Sequence, residues 1–405
     1  MATETDGCLT LKVSSLGNRV GGIALQDEGP VVFVRGALPG ETVKVRVTAT
    51  GKRHLDAELV TIISPCPERV EPFCPLHGVC GGCSLQHLDY RTQLFWKKKW
   101  IEKAFHGFSG FTLEEVVPSP LADGFRNRVT FCVSGGKPCL HAFRGDPVPV
   151  QDCPALNSTG RAVLREIWKT GIPSGVETLS VRCSISTGQS LVEVAGSVRG
   201  LPVSWGTVYE RSMGIRGAQL TERLLEWNFP IPPGGFFQVN TRAAEILLDK
   251  VLEQAEGETI LDLYGGVGTF GVPLAARGAR VESVETCPAA AAAAETAAGI
   301  NGAAGFRSFR ERDESFLARA VSRGKVFDTV VLDPPRAGAG PGIMEMVNKV
   351  APHRVIYITC NPFTAARDAA VLVERGFHLK KAVPVDMFPH TDHVETMLLL
   401  ERNPV

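Results

Sequence analysis

The sequence predicts an α/β protein: a doubly wound, mostly parallel sheet at the C-terminal end, preceded by a small β-barrel and a central α+β region. Three observations carry this. From residue 231 onward, strand-like runs alternate with helical ones. A glycine loop follows the first of those strands, in LDLYGGVGTF. Near the N-terminus, short runs rich in Val, Thr and Ile crowd between turn signals.

Size and composition allow this. The 405 residues suffice for roughly two or three domains, and 44% hydrophobic residues can fill a sizeable core. Lys+Arg and Asp+Glu both number 43, so the formal net charge is zero. Bulk charge therefore gives no support to nucleic-acid binding, which must come from local patches and shape. The start, MATETDGCLT, lacks a charged segment followed by an apolar stretch, so no targeting signal is expected. No run of about 18 apolar residues exists to cross a membrane. Eleven cysteines in a large chain without an export signal argue against a disulfide framework and for metal or catalytic use. The cytoplasm is the expected location.

Residues 1–64 read as the barrel, from CLTLKVSSLG, PVVFVRG, ETVKVRVTAT and DAELVTIIS. The turn TGKRHLD gathers Lys52, Arg53 and His54, which suits either a phosphate backbone or plain solvent. A cysteine-rich loop, 65–87, opens the central region, 65–230. The helix YRTQLFWKKKWIEKAF follows, with Leu94, Trp100, Ile101 and Phe105 on one face. Its other face carries Arg91, Lys97, Lys98, Lys99 and Lys103, a wet basic face that could meet RNA. Further strands are expected in GFRNRVTFCVSG, ETLSVRCSIST and QSLVEVAG, and a helix in STGRAVLREIWKTG. The proline-rich NFPIPPGGFFQVN makes a boundary before the domain 231–405.

In that last domain the strands TILDLYGG, ARVESVE, FDTVVLDPP and HRVIYITCNP alternate with helices, one a long alanine run opened by Pro288. Glu285 ends the strand about twenty residues after the glycine loop, where a carboxylate binds ribose hydroxyls. Asp333 ends the next strand. Ligands in such sheets lie outside the carboxyl ends of the strands. The acidic residues and the Asp-Pro-Pro turn suit S-adenosylmethionine better than a nicotinamide cofactor.

Cys360 also follows a strand at that edge, and Glu395 lies in the tail DMFPHTDHVETMLLL with His390, Asp392 and His393 nearby. A cysteine and a carboxylate together match one demanding reaction, methylation at C5 of a pyrimidine. C5 of uracil is a poor nucleophile until a thiolate adds at C6. A base must then remove the C5 proton so that the thiol can leave. The nucleotide must also leave its stack. The plainer readings are an inert buried thiol and a solvated carboxylate.

Taken together, GGFFQVN, DLYGGVGTF, LDPPRAG, YITCNPFTAARD and MFPHTDHVE resemble, in order and spacing, the RNA uracil-C5 methyltransferase family. The similarity covers nearly the whole chain, most specifically roughly the last 170 residues, and is nearest the bacterial 23S rRNA branch. The resemblance implies a Rossmann-like class I methyltransferase domain and an N-terminal OB-like TRAM barrel. It makes Cys360 the nucleophile and Glu395 the proton acceptor. Gln238, Tyr264, Glu285 and Asp333 would bind S-adenosylmethionine, with Asp313 as a further candidate at the adenine end. Two departures are visible: Gly265 where many relatives have cysteine, and Thr359 for the commoner serine. Neither removes a required functional group.

In CPLHGVCGGC the thiols are Cys74, Cys80 and Cys83. A zinc ribbon shows two close cysteine pairs, and here there is one. The resemblance implies a 4Fe-4S iron-sulfur cluster with Cys153 as fourth ligand, and Cys66 competes for that place. Zinc and bare thiols are the alternatives. Cys8, Cys132, Cys139, Cys183 and Cys287 read as ordinary thiols. The expected partner is RNA, most of all 23S rRNA, with a tRNA substrate as the second reading and a silent RNA-binding or assembly protein as the third. No membrane and no obligate protein partner are expected, and a monomer is. A DNA cytosine-C5 enzyme is disfavoured because its nucleophile would sit in the Asp-Pro-Pro region, where there is no cysteine.

Overall fold

The computed structural model describes residues 8–26, 29–143, 145–196, 201–210 and 219–402. Residues 1–7, read above for a targeting signal, lie outside the described residues. The chain divides into two compact units. The first holds Met1–Trp100, His141–Asp146 and Phe388–His393, and the second holds Ile101–Leu140, Pro147–Met387 and Val394–Val405.

In the first unit, strands β1 (Cys8–Gly17), β2 (Gly21–Ala24), β3 (Val31–Arg35), β4 (Thr42–Thr50) and β5 (His54–Ser64) close a barrel in the order β1-β2-β3-β5-β4. β4 closes back on β1 antiparallel, so neither edge is left open. The alternation of β-branched residues turns Leu11, Val13, Val32, Val34, Val43 and Val45 inward to one core. The strand that sequence reading missed is β2, only four residues and begun by two glycines. Helix α1 (Tyr90–Ala104) corrects the expected basic face. Lys97 is fully buried, and its ammonium donates to the Phe388 carbonyl at 2.9 Å. Its aliphatic stem packs inward while the head finds a backbone acceptor, so only Arg91, Lys99 and Lys103 remain exposed. Among the described residues no helix is long and apolar enough to cross a membrane.

The second unit contains two larger sheets. The central one runs β12-β11-β10-β7-β8-β9, from β7 (Arg128–Ser134), β8 (Lys137–His141), β9 (Pro147–Pro149), β10 (Val176–Cys183), β11 (Ser190–Gly196) and β12 (Thr207–Glu210). Helix α2 (Ser158–Thr170) is capped by Asn157, whose side chain accepts from the Gly160 amide. The expected boundary at NFPIPPGG is partly a strand: β14 (Trp227–Ile231) pairs with β13 (Leu220–Leu224). A two-stranded ribbon tolerates Pro230 because its edge is free.

After helix α3 (Thr241–Gln254) comes the sheet that carries the site. In chain order it uses β15 (Thr259–Leu263), α4 (Gly271–Ala276), β16 (Arg280–Val284), α5 (Pro288–Ile300), β17 (Phe306–Phe309), α6 (Asp313–Ser322), β18 (Thr329–Leu332), α7 (Pro341–Val350), β19 (Arg354–Thr359), α8 (Pro362–Glu374), β20 (His378–Val385) and β21 (Glu395–Glu401). Its spatial order is β17-β16-β15-β18-β19-β21-β20-β6, where β6 is Thr112–Leu113. The first five strands are parallel. β21 slots antiparallel between β19 and β20. Continuous apolar runs such as TVVL and VIYIT fit strands buried on both faces.

Asn240 ties the segment before α3 to this frame. It is fully buried, its amide donates to Ser119 Oγ at 2.9 Å and to the Met387 carbonyl at 3.2 Å, and its oxygen accepts from Ala243 N at 3.2 Å. Asn240→Ala removes a helix cap and two buried hydrogen bonds, so it should cost about 2–3 kcal/mol, read as a lower urea midpoint at unchanged slope. Asn240→Asp keeps the cap acceptor and should recover only part.

Candidate active site

The register of the sheet puts the expected residues on one edge. Val284, Leu263, Leu332 and Tyr357 are neighbours across four parallel strands. Tyr264, Glu285 and Asp333 come immediately after the first three, at their carboxyl ends. β19 runs two residues further and β21 returns beside it, with Thr359 opposite Thr396. Cys360 and Glu395 flank that pair, one leaving its strand and the other entering. Residues far apart in sequence thus meet because neighbouring antiparallel strands begin and end at the same edge.

The glycine loop after β15 is sharply bent. Tyr264 has φ +60, and Gly266 and Gly268 have φ +57 and +84, a region glycine enters freely. The Glu285 carboxylate ties loop to strand end: it accepts from Gly266 N at 3.0 Å and from Cys287 N at 2.6 Å. The Tyr264 amide donates to Asp313 at 3.2 Å, which brings Asp313 to the same loop from the start of α6. Burial pushes the Asp313 carboxyl up to about 6. Gly265 has a local reason to be glycine. A Cβ there would meet Ser283 Oγ at 1.9 Å and Asp262 Oδ2 at 2.9 Å. Beneath the loop, Asp262 is buried, accepts from Ser283 Oγ at 3.0 Å and is pushed up to about 7 by burial. A backbone held this open, with carboxylates at the next two strand ends, fits a nucleoside cofactor.

Around Cys360 the groups are buried and electrostatically joined. Burial pushes its thiol up to about 11, the negative charges of Glu395 and Asp333 add to this, and the Arg336 cation opposes it. Glu395 is 4% exposed, and burial together with Asp333 holds its carboxyl well above the ordinary range. Asp333 is raised to about 7 by burial, against the hydrogen bond from Gln238 Nε2 at 3.1 Å. Burial thus favours the neutral form of both carboxyls, and the Asp333 charge adds to this at Glu395. Gln238 is itself anchored: Asn127 Nδ2 donates to its carbonyl at 2.8 Å and to Thr241 Oγ1 at 3.0 Å. The Asn361 amide donates to Thr359 Oγ1 at 3.0 Å, so threonine serves the turn as serine would.

Several of these groups escaped sequence reading. Asp368, fully buried on α8, accepts from Ala339 N at 2.8 Å, Gly340 N at 3.2 Å and Tyr357 Oη at 2.8 Å. It pins the loop that carries Arg336. Its place eight residues past Cys360, on the following helix, was the available signal. Asn127 had none, being over a hundred residues from Gln238 in the chain. His390 and Asp392 belong to the first unit instead. The His390 ring meets Gln93 Nε2 at 3.1 Å, and its carbonyl accepts from Ser84 and Leu85 amides at 3.0 and 2.9 Å. The Asp392 amide donates to Ser84 Oγ at 3.1 Å.

All eleven cysteines are free. Cys74, Cys80 and Cys83 are half-buried in their loop. Burial raises the Cys80 thiol, a Gly82 amide 3.4 Å from its sulfur lowers it, and Cys74 acts on it electrostatically. The donors have the chemistry a thiolate cluster needs. Among the described residues, however, no three Cys, His, Asp or Glu side chains converge to hold a metal ion. Cys66 packs among Leu16, Leu38, Leu85, Leu88 and Trp100, an apolar setting that suits a core thiol. Cys153 is half-buried in the second unit.

A doubly wound sheet with this carboxylate-lined edge is that of a class I S-adenosylmethionine-dependent methyltransferase. Residues 216–403 match the family model described as tRNA (Uracil-5-)-methyltransferase, and residues 8–60 match the TRAM domain. The chain belongs to the RNA uracil-C5 methyltransferase family. It is 33% identical to the 23S rRNA (uracil(1939)-C(5))-methyltransferase RlmD of Alkalilimnicola ehrlichii, over 97% of this chain and 96% of that one. It is 32% identical to the tRNA (uracil(54)-C(5))-methyltransferase of Pyrococcus abyssi, over 91% and 95%. The crystal structure of the Pyrococcus abyssi tRNA (uracil-54, C5)-methyltransferase with S-adenosyl-L-homocysteine superposes with a TM-score of 0.77 at 29% identity, over 96% of this chain and all of that one. The protein is an RNA uracil-C5 methyltransferase that uses S-adenosylmethionine.

The electrostatics are testable. A neighbouring anion raises a thiol pKa, so Glu395→Gln should lower that of Cys360. The rate of iodoacetamide alkylation at Cys360, followed against pH by peptide mass spectrometry, should reach its midpoint at lower pH in the variant. An unchanged midpoint would mean that the two groups do not sense each other.

Proposed function

We propose that this enzyme forms 5-methyluridine in 23S rRNA through a covalent adduct between Cys360 and uracil C6. The observation that carries the reading is the placement of Cys360 and Glu395 on either side of the Thr359–Thr396 pair, within electrostatic reach of each other and of Asp333. The Cys360 thiol passes its proton to water and the thiolate sulfur adds to C6, moving the ring electrons to C5 and O4. Bound S-adenosylmethionine supplies the methyl group that C5 takes up. Glu395 then removes the C5 proton, the C5–C6 double bond re-forms and the sulfur leaves. A carboxyl held well above its ordinary range is a stronger base once ionised, as removing a carbon-bound proton requires. Gln238, Tyr264, Glu285 and Asp333 are the proposed cofactor residues, with Asp313 beside them. Arg336 favours the Cys360 thiolate.

The 23S substrate is supported by the relatives named RlmD and by the cysteine loop. A tRNA substrate is the second reading, favoured by the likeness to the archaeal tRNA enzyme along nearly the whole chain. Labelled S-adenosylmethionine with separate rRNA and tRNA from cells lacking the enzyme distinguishes them, since label in tRNA alone rejects the first. Cys360→Ala should lose at least about a thousandfold in turnover while binding cofactor. Glu395→Gln should slow release by about 10²–10⁴-fold and accumulate an RNA adduct that survives denaturing electrophoresis. Absence of any adduct would reject the assigned base.

We propose further that Cys74, Cys80 and Cys83 bind a 4Fe-4S cluster, with Cys153 the fourth ligand by resemblance, in a cytoplasmic protein where free thiols persist. The transfer is polar and moves no single electron, so the cluster's part is structural. Anaerobic preparations should carry iron and acid-labile sulfide, and Cys153→Ser should lower both. Full iron content in that variant would remove Cys153 from the ligand set.

A further inference from the structure

The first unit carries a cavity of about 580 Å³ whose lining includes Arg19, Phe33, Arg35, Asp56, Glu58 and Phe143. That volume lies in the range of small-molecule sites, about 300–1,000 Å³. β3 and β5 form its floor. Arg19, in the β1–β2 turn, forms one wall. Ala142, Phe143 and Asp146 line the cavity as well, next to His141, whose carbonyl accepts from the Gly81 amide at 2.9 Å. OB-like barrels bind oligonucleotides on the face of strands 2 and 3 and with the loops after strands 1 and 4, and this cavity shares β3 and the β1–β2 turn with that region.

Two aromatic rings here are each backed by a second planar group. Phe33 lies 5.0 Å from the His54 ring, tilted by 31°. The Arg35 guanidinium sits 4.0 Å over the Phe143 ring. Stacked planes of this sort hold unpaired bases without sequence preference of their own. The charges add a preference. Among the described residues, Asp56, Glu58 and Asp146 set three carboxylates in the lining beside Arg19 and Arg35. Carboxylates do accept from exocyclic amino groups of bases. Further cations, Lys52 and Arg53, are exposed on the β4–β5 turn.

We propose that this cavity binds one unpaired, amino-bearing base of the substrate RNA, adenine, cytosine or guanine rather than uracil. The base stacks on Phe33 and Phe143, and its flanking phosphates face Arg19, Lys52 and Arg53. The enzyme would thus read a nucleotide other than its target through the barrel. The proposal rests on the reading that the substrate is RNA.

Binding of fluorescein-labelled oligoadenylate and oligouridylate to the full-length protein tests it. Oligoadenylate should bind about tenfold more tightly. Phe143→Ala should weaken oligoadenylate binding by about five- to hundredfold, and Phe143→Trp should retain it. Asp146→Asn, at an exposed position where folding is not at stake, should bring the two oligomers closer in affinity. Equal affinities in the wild type, or unchanged affinity in a Phe143→Ala protein with a wild-type melting midpoint, would overturn the proposal. The two readings fail separately. A wild type that methylates RNA without preferring oligoadenylate loses only the subsite. One that prefers oligoadenylate but transfers label to no RNA keeps the subsite and loses the substrate reading.

Discussion

The pairing of β21 against β19 is the constraint on which the rest depends. An antiparallel strand inserted beside a parallel one brings its beginning to the other's end. Cys360 and Glu395 therefore share an edge with Asp333 although the chain between them makes a helix, a strand and a long turn. A register slip of one residue would turn each side chain to the opposite face. Burial on both faces of the sheet resists that slip, because every residue from Glu395 to Leu400 is buried.

That arrangement has an electrostatic consequence. Three ionisable groups lie close together, Glu395 buried and Cys360 and Asp333 half-buried, and burial favours the neutral form of each. Gln238 and Arg336 pull the other way, the first by donating to Asp333 and the second by its charge near the thiol. Both are held from behind: Gln238 by Asn127, and the Arg336 loop by Asp368 and Tyr357. A site that must lose and regain protons in turn benefits from neighbours that cannot drift.

The cofactor edge shows why small residues were informative. Gly265, Gly266 and Gly268 stood out in the sequence, and the structure gives separate reasons for them. Gly266 and Gly268 supply positive φ, whereas Gly265 leaves room for Ser283 and Asp262 below. A cysteine in that position would need those neighbours to move. The helix α1 teaches the opposite lesson. Its run of lysines suggested a uniform wet face, yet Lys97 is buried because a carbonyl of the Phe388–His393 segment lies in reach of its head. Helical spacing alone does not reveal where another part of the chain will lie.

By itself, the sequence determined the barrel, the alternating sheet and the strand ends carrying Tyr264, Glu285, Asp333 and Cys360. Each of these is written in local periodicity, turn residues and glycine, whose effects act over a few residues. The tertiary structure alone decided which polar groups stand behind them. Asn127, Asp262 and Asp368 look like ordinary surface polar residues when read along the chain. They became supports only when folding buried them next to backbone amides or side chains distant in sequence. The tertiary structure likewise divided the tail, sending His390 and Asp392 to hydrogen bonds in the first unit and leaving Glu395 at the head of its strand. The physical reason is the same in each case: the cost of burying a polar group depends on the partners it meets, and those partners are set by the fold.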